Sequence, residues 1–210
     1  MKPKGQWRHG DLRASLIAWG THLLDTEGLD GMSMRAAAKL AGVSQAAPAH
    51  HFKDRNGLLA AIAAQGFRDL ESRLKRSESA SAGDPSARLR AVIFAYVDFA
   101  QANPARFHLM FGPQIERRNE YPELLEASAA SFQVLRSAVA PFMAGARTHD
   151  LSEENLAFAI WAATHGLATL TVQGRRLAIS ATQRPTSAQL RETVVAFCLA
   201  ALRAATTEKG

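Results

Sequence analysis

The stretch SMRAAAKLAGVSQAAPAHHF, Ser33 to Phe52, holds two short helical patterns joined at a glycine. Ser33 has the side chain to cap the first, MRAAAKLA, and Gly42 is placed to end it in a left-handed conformation. Ser44 can cap the second. Ala38 and Ala41 are small enough to let two helices cross closely, and Val43 supplies an apolar plug between them. Two short helices joined by a tight Gly-Val-Ser turn make a helix-turn-helix, whose second helix lies in the major groove of DNA with its first residues at base edges. Gln45 would then face an adenine edge or a phosphate, and His50 a phosphate or a base acceptor. With Ser44 as the cap, Pro48 falls on the fourth helical position, where its ring costs the first intrahelical bond and some crowding against the Ser44 carbonyl, so a short helix, irregular at its start, is expected. Phe52 reads as core, a ring packed on the next helix; for His51 a core imidazole satisfied by backbone is one reading left open.

Outward from this stretch every strong period is helical, and no run alternates convincingly with period two, so the fold expected is all-α. Leu12, Leu16 and Leu23 define a first helix that ends at Gly28. Asp54 can cap a long fourth helix whose Leu59, Ala63, Phe67, Leu70 and Leu74 share a face. SESASAGDPS, residues 77–86, reads as a loop. From Leu89 a further helix carries Val92, Tyr96 and Phe99, and NPARFHLMFGP reads as a short helix closed by Gly112-Pro113. ERRNEYPE, residues 116–123, reads as a charged surface connection. Helices are then expected over about 122–144, 152–173 and 187–205 from the spacing of apolar residues. In the last, Leu190, Val194, Phe197 and Ala201 form one apolar face and Val195, Cys198 and Leu202 another. A helix apolar on two faces needs two packing partners, one its own core and the other a second subunit.

The chain has 210 residues, 47% of them hydrophobic and 21% charged, which is the composition of an ordinary globular protein and argues against disorder. No run of apolar residues is long enough for a membrane span, and the start lacks the apolar region of a secretory signal, so the expected place is the cytoplasm and no membrane is a partner. The single Cys198 cannot form an intrachain disulfide and reads as a small buried apolar residue. The net charge of +6 favours an anionic partner. Residues 1–59 carry eight basic and five acidic side chains, so charge density is higher at the N-terminal end, much of it in the first thirteen residues. A metal site at His50 and His51 fails on geometry, because adjacent helical residues diverge by about 100° and paired ligands want i, i+4 spacing. No metal or cofactor motif, phosphate loop or nucleophile motif is found, so neither cofactor nor metal is expected and the chain does not read as an enzyme.

The ordered run HGDLRASLIAWGTHLLDTEGLDGMSMRAAAKLAGVSQAAPAHHFKDRNGLL, His9 to Leu59, resembles the DNA-binding domain of TetR-family transcriptional repressors. WAATHG, Trp161 to Gly166, is similar to the Trp-x3-His-Gly signature of the C-terminal domain in one subgroup of that family. The resemblance implies a three-helix helix-turn-helix domain with a basic arm over 1–55 and a larger helical effector-binding and dimerisation domain over 56–210. It implies a homodimer formed through the last two helices, a double-stranded DNA operator and a small-molecule effector. Carried over by position, Gln45, Ala46, Ala49 and His50 lie on the recognition helix with Ser44 at its start, and Ser33 and Arg35 begin the supporting helix. Arg55 stands where the family has a phosphate-contacting lysine, and Lys2, Lys4 and Arg8 of the arm would add phosphate or minor-groove contacts. Ala49 departs from the aromatic, most often tyrosine, that the family places there. Losing that one phosphate contact costs about 1 kcal/mol, or roughly fivefold in affinity.

For the effector, Tyr96, Phe99, Phe107, Met110, Phe111, Phe132, Trp161 and His165 form an aromatic-rich set that suits an apolar or aromatic molecule better than a sugar or nucleotide. Aromatics at helical spacing are also what a plain core looks like. Two other functions compete with a ligand-released repressor. One is a protein-interaction scaffold with weakened DNA binding, for which Ala49 is the hint; the other is an all-α enzyme using His165 or His50 as base.

Overall fold

The computed structural model describes residues 12–81, 83–144, 152–172 and 185–206. Within them lie α1 (Leu12–Gly31), α2 (Met34–Ala41), α3 (Ala49–Phe52), α4 (Arg55–Ala80), α5 (Pro85–Ala102), α6 (Pro104–Phe111), α7 (Pro122–Met143), α8 (Glu153–Val172) and α9 (Ser187–Thr206), with one 3-10 turn at Arg118–Glu120. No strand occurs among the described residues, so the all-α expectation holds. The helix leaves its regular path at Gly28, whose φ is 75°, before a last turn that reaches Gly31.

Two compact units divide the chain. The first comprises residues up to 69 together with 103–129, and the second 70–102 together with 130 onward. This differs from the boundary expected between residues 55 and 56, for two physical reasons. α4 runs unbroken through that point, and α6 returns to pack with the N-terminal helices. Arg106 of α6 pairs with Asp25 of α1 at 3.4 Å and with Asp69 of α4 at 3.4 Å. The rings of Phe67 and Phe111 meet edge to face at 5.2 Å, and Phe107 lies 4.9 Å from Phe111. Arg118 then donates to the Met110 carbonyl at 2.6 Å, fastening the connection after α6 to that helix's last turn.

The second unit is built on α5, α8 and α9, which pack on one another. Val92, Ile93, Tyr96, Val97 and Phe99 of α5 and Leu156, Ile160 and Leu167 of α8 are buried. The two faces of α9 separate as their spacing required: Val195, Cys198 and Leu202 are buried, whereas Phe197 is 67% exposed. Also exposed in this unit are Phe158, at 57%, Leu170 and Leu190. α8 is long and apolar enough, by length and composition, to cross a membrane. No uninterrupted apolar run announces this, because its hydropathy is spread over many alanines; in this fold the helix packs against α5 and α9.

Two expected boundaries are corrected. Residues 77–80 continue α4 rather than open a loop, and Glu78 there is paired with Arg88. α5 begins at Pro85 instead of Leu89, with the Ser86 N–H donating to Asp84 Oδ1 at 2.9 Å. Proline at a helix's first position gives up an N–H that has no helical partner there, so the serine-rich stretch is a short turn between two helices.

Candidate nucleic-acid interface

Local chemistry builds the supporting helix first. The Ala36 N–H donates to Ser33 Oγ at 3.1 Å, which fixes the start of α2. Gly42, at φ 72° and ψ 29°, ends it in the left-handed region, and the Val43 N–H returns to the Ala38 carbonyl at 3.1 Å. Ala37 and Ala38 are fully buried, and α2 packs closely on α1.

The second helix is shorter than expected. α3 begins at Ala49 with Pro48 in the cap position and no side-chain cap, so Ser44 does not start a continuous helix. Pro48 has no N–H to give the Ser44 carbonyl, and that carbonyl accepts from Ala47 at 3.1 Å instead. Ala46 and Ala47 accept in turn from Ala49 and His50, so residues 44–50 wind as tight three-residue turns. Pro48 itself is buried, while Ser44, Gln45, Ala46, Ala49, His50 and His51 are exposed. His51 is exposed and not core, and the one-turn helix turns Phe52 inward, 5% exposed, as expected of it.

The exit from α3 is strained and tightly fitted. Lys53 has φ 62° and ψ −58°, and the Asp54 N–H donates across it to the Phe52 carbonyl at 2.6 Å, which is a γ-turn of the rare positive-φ kind. Asp54 Oδ1 then accepts from the Gly57 N–H at 2.8 Å, so Asp54 caps α4 as its spacing suggested. A Cβ on Gly57 would lie 2.0 Å from the Phe52 carbonyl oxygen, and only glycine allows this approach.

Of the remaining expected DNA-contacting residues, Ser33 serves as the cap of α2 and Arg35 is exposed on its first turn. Arg55 is exposed and donates to the Met32 carbonyl at 3.2 Å and the Leu29 carbonyl at 2.7 Å, so it also holds α4 to the end of α1. Lys4 and Arg8 lie outside the described residues. Three groups that sequence reasoning missed border the same edge: His51 and Lys53, with Arg13 from α1, line a groove of about 570 Å³ together with His50, Tyr121 and Glu123. The Asn56-Gly57 pair was the one local signal for the tight exit from α3; Arg13 and Glu123, 110 residues apart, gave none.

The eight residues expected to face an effector fall in different units. Phe107, Met110 and Phe111 belong to the first, where they pack α6 against α4. Tyr96, Phe99, Phe132, Trp161 and His165 belong to the second. There the Tyr96 hydroxyl lies 2.8 Å from His165 Nδ1, and the Trp161 ring stacks on the imidazole at 5.1 Å. Burial pushes the Tyr96 hydroxyl well above its ordinary value, against a hydrogen bond from Trp161 that acts the other way. Burial also lowers His165 below the usual histidine range. The three rings form a neutral polar cluster inside an apolar helix packing.

Residues 16–62 match the model of bacterial regulatory proteins of the tetR family, and residues 89–197 match a tetracyclin repressor-like C-terminal domain. The chain is 36% identical over 91 residues to the HTH-type transcriptional regulator BetI of Paraburkholderia phytofirmans, a match covering 43% of this chain and 47% of that protein. It thus spans about half the length of the curated relatives it matches. Among solved structures, a protein with unknown function from Rhodococcus sp. RHA1 has a TM-score of 0.73 at 31% identity, covering 97% of this chain and 100% of that one. A TetR family transcriptional regulator from Thermus thermophilus shares the fold, with a TM-score of 0.58 at 17% identity over 94% of this chain and 98% of that one.

Proposed function

Because the chain belongs to the TetR family of bacterial regulatory proteins, we propose that it is a ligand-responsive transcriptional regulator, acting as a repressor that a small apolar or aromatic molecule releases from an inverted-repeat operator. The observation that carries this reading is the exposed edge Ser44, Gln45, Ala46, Ala49 and His50, presented on a helix-turn-helix whose supporting helix is capped at both ends. Gln45 and His50 read base edges or phosphates, and Arg35, Arg55 and the arm residues Lys4 and Arg8 add charge along the backbone. The exposed apolar face of α8 and α9, with Phe158, Leu170, Leu190 and Phe197, supports a homodimer through the last two helices. Two subunits then set their recognition edges about 34 Å apart, one helical turn of DNA.

The cluster of Tyr96, Trp161 and His165 supports an effector site in the second unit: a polar group amid apolar rings suits an aromatic molecule with one hydrogen-bonding substituent. Effector and DNA are then negatively coupled. The protein is a cytoplasmic binding protein without a catalytic or cofactor role. The scaffold reading retains one favouring observation, the single turn of α3 with alanine at position 49. Selection from a random duplex pool at near-physiological salt separates the two. An enriched inverted repeat supports the regulator; binding without enrichment supports the scaffold.

A further inference from the structure

Behind the exposed edge, one carboxylate is shared by arginines from two helices. Glu123, in the first turn of α7, accepts a hydrogen bond from Arg13 of α1 and another from Arg68 Nη2 of α4, the latter at 2.7 Å. The Arg13 guanidinium also lies over the ring of Phe52, 5.6 Å from its centroid, and Phe52 is the buried last residue of α3. A guanidinium that donates from one nitrogen to a carboxylate and lays its face on a ring is fixed in orientation by both. In the connection before α7 the Glu116 carbonyl accepts from Asn56 Nδ2 at 3.5 Å, beside the tight turn into α4. The start of α7 and the connection before it are thus tied to both flanks of α3, and α7 itself runs on into the second unit as far as Met143.

We propose that Glu123 is a positioning residue for DNA recognition, fixing α3 through Arg13 and Phe52 so that α7 holds the DNA-reading edge in place. The proposal rests on the DNA-binding reading above. It predicts a sign that charge alone reverses. Glu123→Gln keeps the shape and removes a negative charge close to the reading edge, so electrostatics alone would tighten binding to every duplex. Loss of positioning weakens binding to the selected sequence only.

The test uses the full chain as wild type, Glu123→Gln and Arg13→Lys. Each is titrated by fluorescence anisotropy against the inverted repeat enriched from a random pool and against an unrelated duplex, and amide hydrogen exchange is followed over residues 49–53 without DNA. Glu123→Gln is expected to bind the selected duplex about threefold to fivefold more weakly, the range for a part-exposed ion pair. The unrelated duplex is expected to bind as well as before or more tightly, with exchange at 49–53 faster and exchange over α2 unchanged. Arg13→Lys, which keeps the charge and loses the planar guanidinium over Phe52, weakens the selected duplex with the salt slope unaltered, as befits a residue that does not touch phosphate. Tighter or unchanged binding of both duplexes by Glu123→Gln, with protection at 49–53 intact, overturns the proposal. If wild type discriminates no duplex, the DNA-binding reading fails by itself, and exchange at 49–53 still decides whether Glu123 orders α3.

Discussion

Gly57→Ala sets two physical effects against each other. Position 57 is the third residue of α4, and helix propensity favours alanine there by about 0.5–1 kcal/mol. The added Cβ, however, would lie 2.0 Å from the Phe52 carbonyl oxygen and 3.0 Å from its carbon, where real Cβ atoms essentially never come closer than 3.0 Å. The oxygen would have to retreat by more than a bond's width of slack can supply, and it is pinned by the Asp54 N–H at 2.6 Å while the Phe52 ring is buried. Such backbone overpacking costs about 1–3 kcal/mol, so it outweighs the propensity gain over most of its range. A net loss of about 0.5–2 kcal/mol corresponds to a Tm lower by roughly 1–8 °C for a chain of this size. Thermal unfolding followed by far-ultraviolet circular dichroism reads this directly. Because the displaced carbonyl belongs to α3, affinity for the selected operator falls as well. An unchanged or higher Tm with unchanged operator affinity refutes the close approach on which the geometry of the α3 exit depends.

Phe197→Glu places a charge on the exposed apolar face of α9, and sedimentation should find a monomer where wild type sediments as a dimer; a dimer that survives assigns that face another role. Burial pushes the Cys198 thiol up to about 11, so a disulfide reagent at mildly alkaline pH should react slowly with the native chain and fast in denaturant; rapid native labelling would contradict its packing on the inner face of α9. Burial alone would raise the Glu123 carboxyl, but hydrogen bonds from Arg68 and Arg13 outweigh it and hold it below its ordinary 4.5. Its contribution is therefore present above that value and lost as pH falls through its own lower one. The Tm advantage of wild type over Glu123→Gln should shrink on acidification from neutral pH to below about 4, and an advantage that persists there means the carboxylate's charge is not what matters.

Features set by neighbouring residues were legible in the sequence. Ser33 and Gly42 bound α2 because a side-chain oxygen and a left-handed glycine act within a few residues of their own positions. The 3-4 spacing of apolar residues placed α8 and α9, and the two apolar faces of α9 separated into a buried and an exposed one. The serine-rich stretch misled because Ser and Glu are acceptable in an exposed last turn, and the pairing of Glu78 with Arg88 across the turn has no local signature. Crowding of Pro48 on the Ser44 carbonyl was legible and gives α3 its irregular start, but Ser44 does not cap it: residues 44–50 wind as tight turns, and His51 is exposed. Arg13 stayed invisible since its partners, Glu123 and Phe52, are brought to it only by the packed fold.

The central claim, specific DNA recognition by the exposed edge of residues 44–50, is tested most directly by one anisotropy titration. Wild-type protein is measured at near-physiological salt against the duplex enriched from a random pool and against an unrelated duplex of equal length. The account predicts an inverted repeat bound about a thousandfold or more tightly than the unrelated duplex. Equal affinities that fall together as salt rises would contradict it, leaving only charge attraction between a basic chain and DNA.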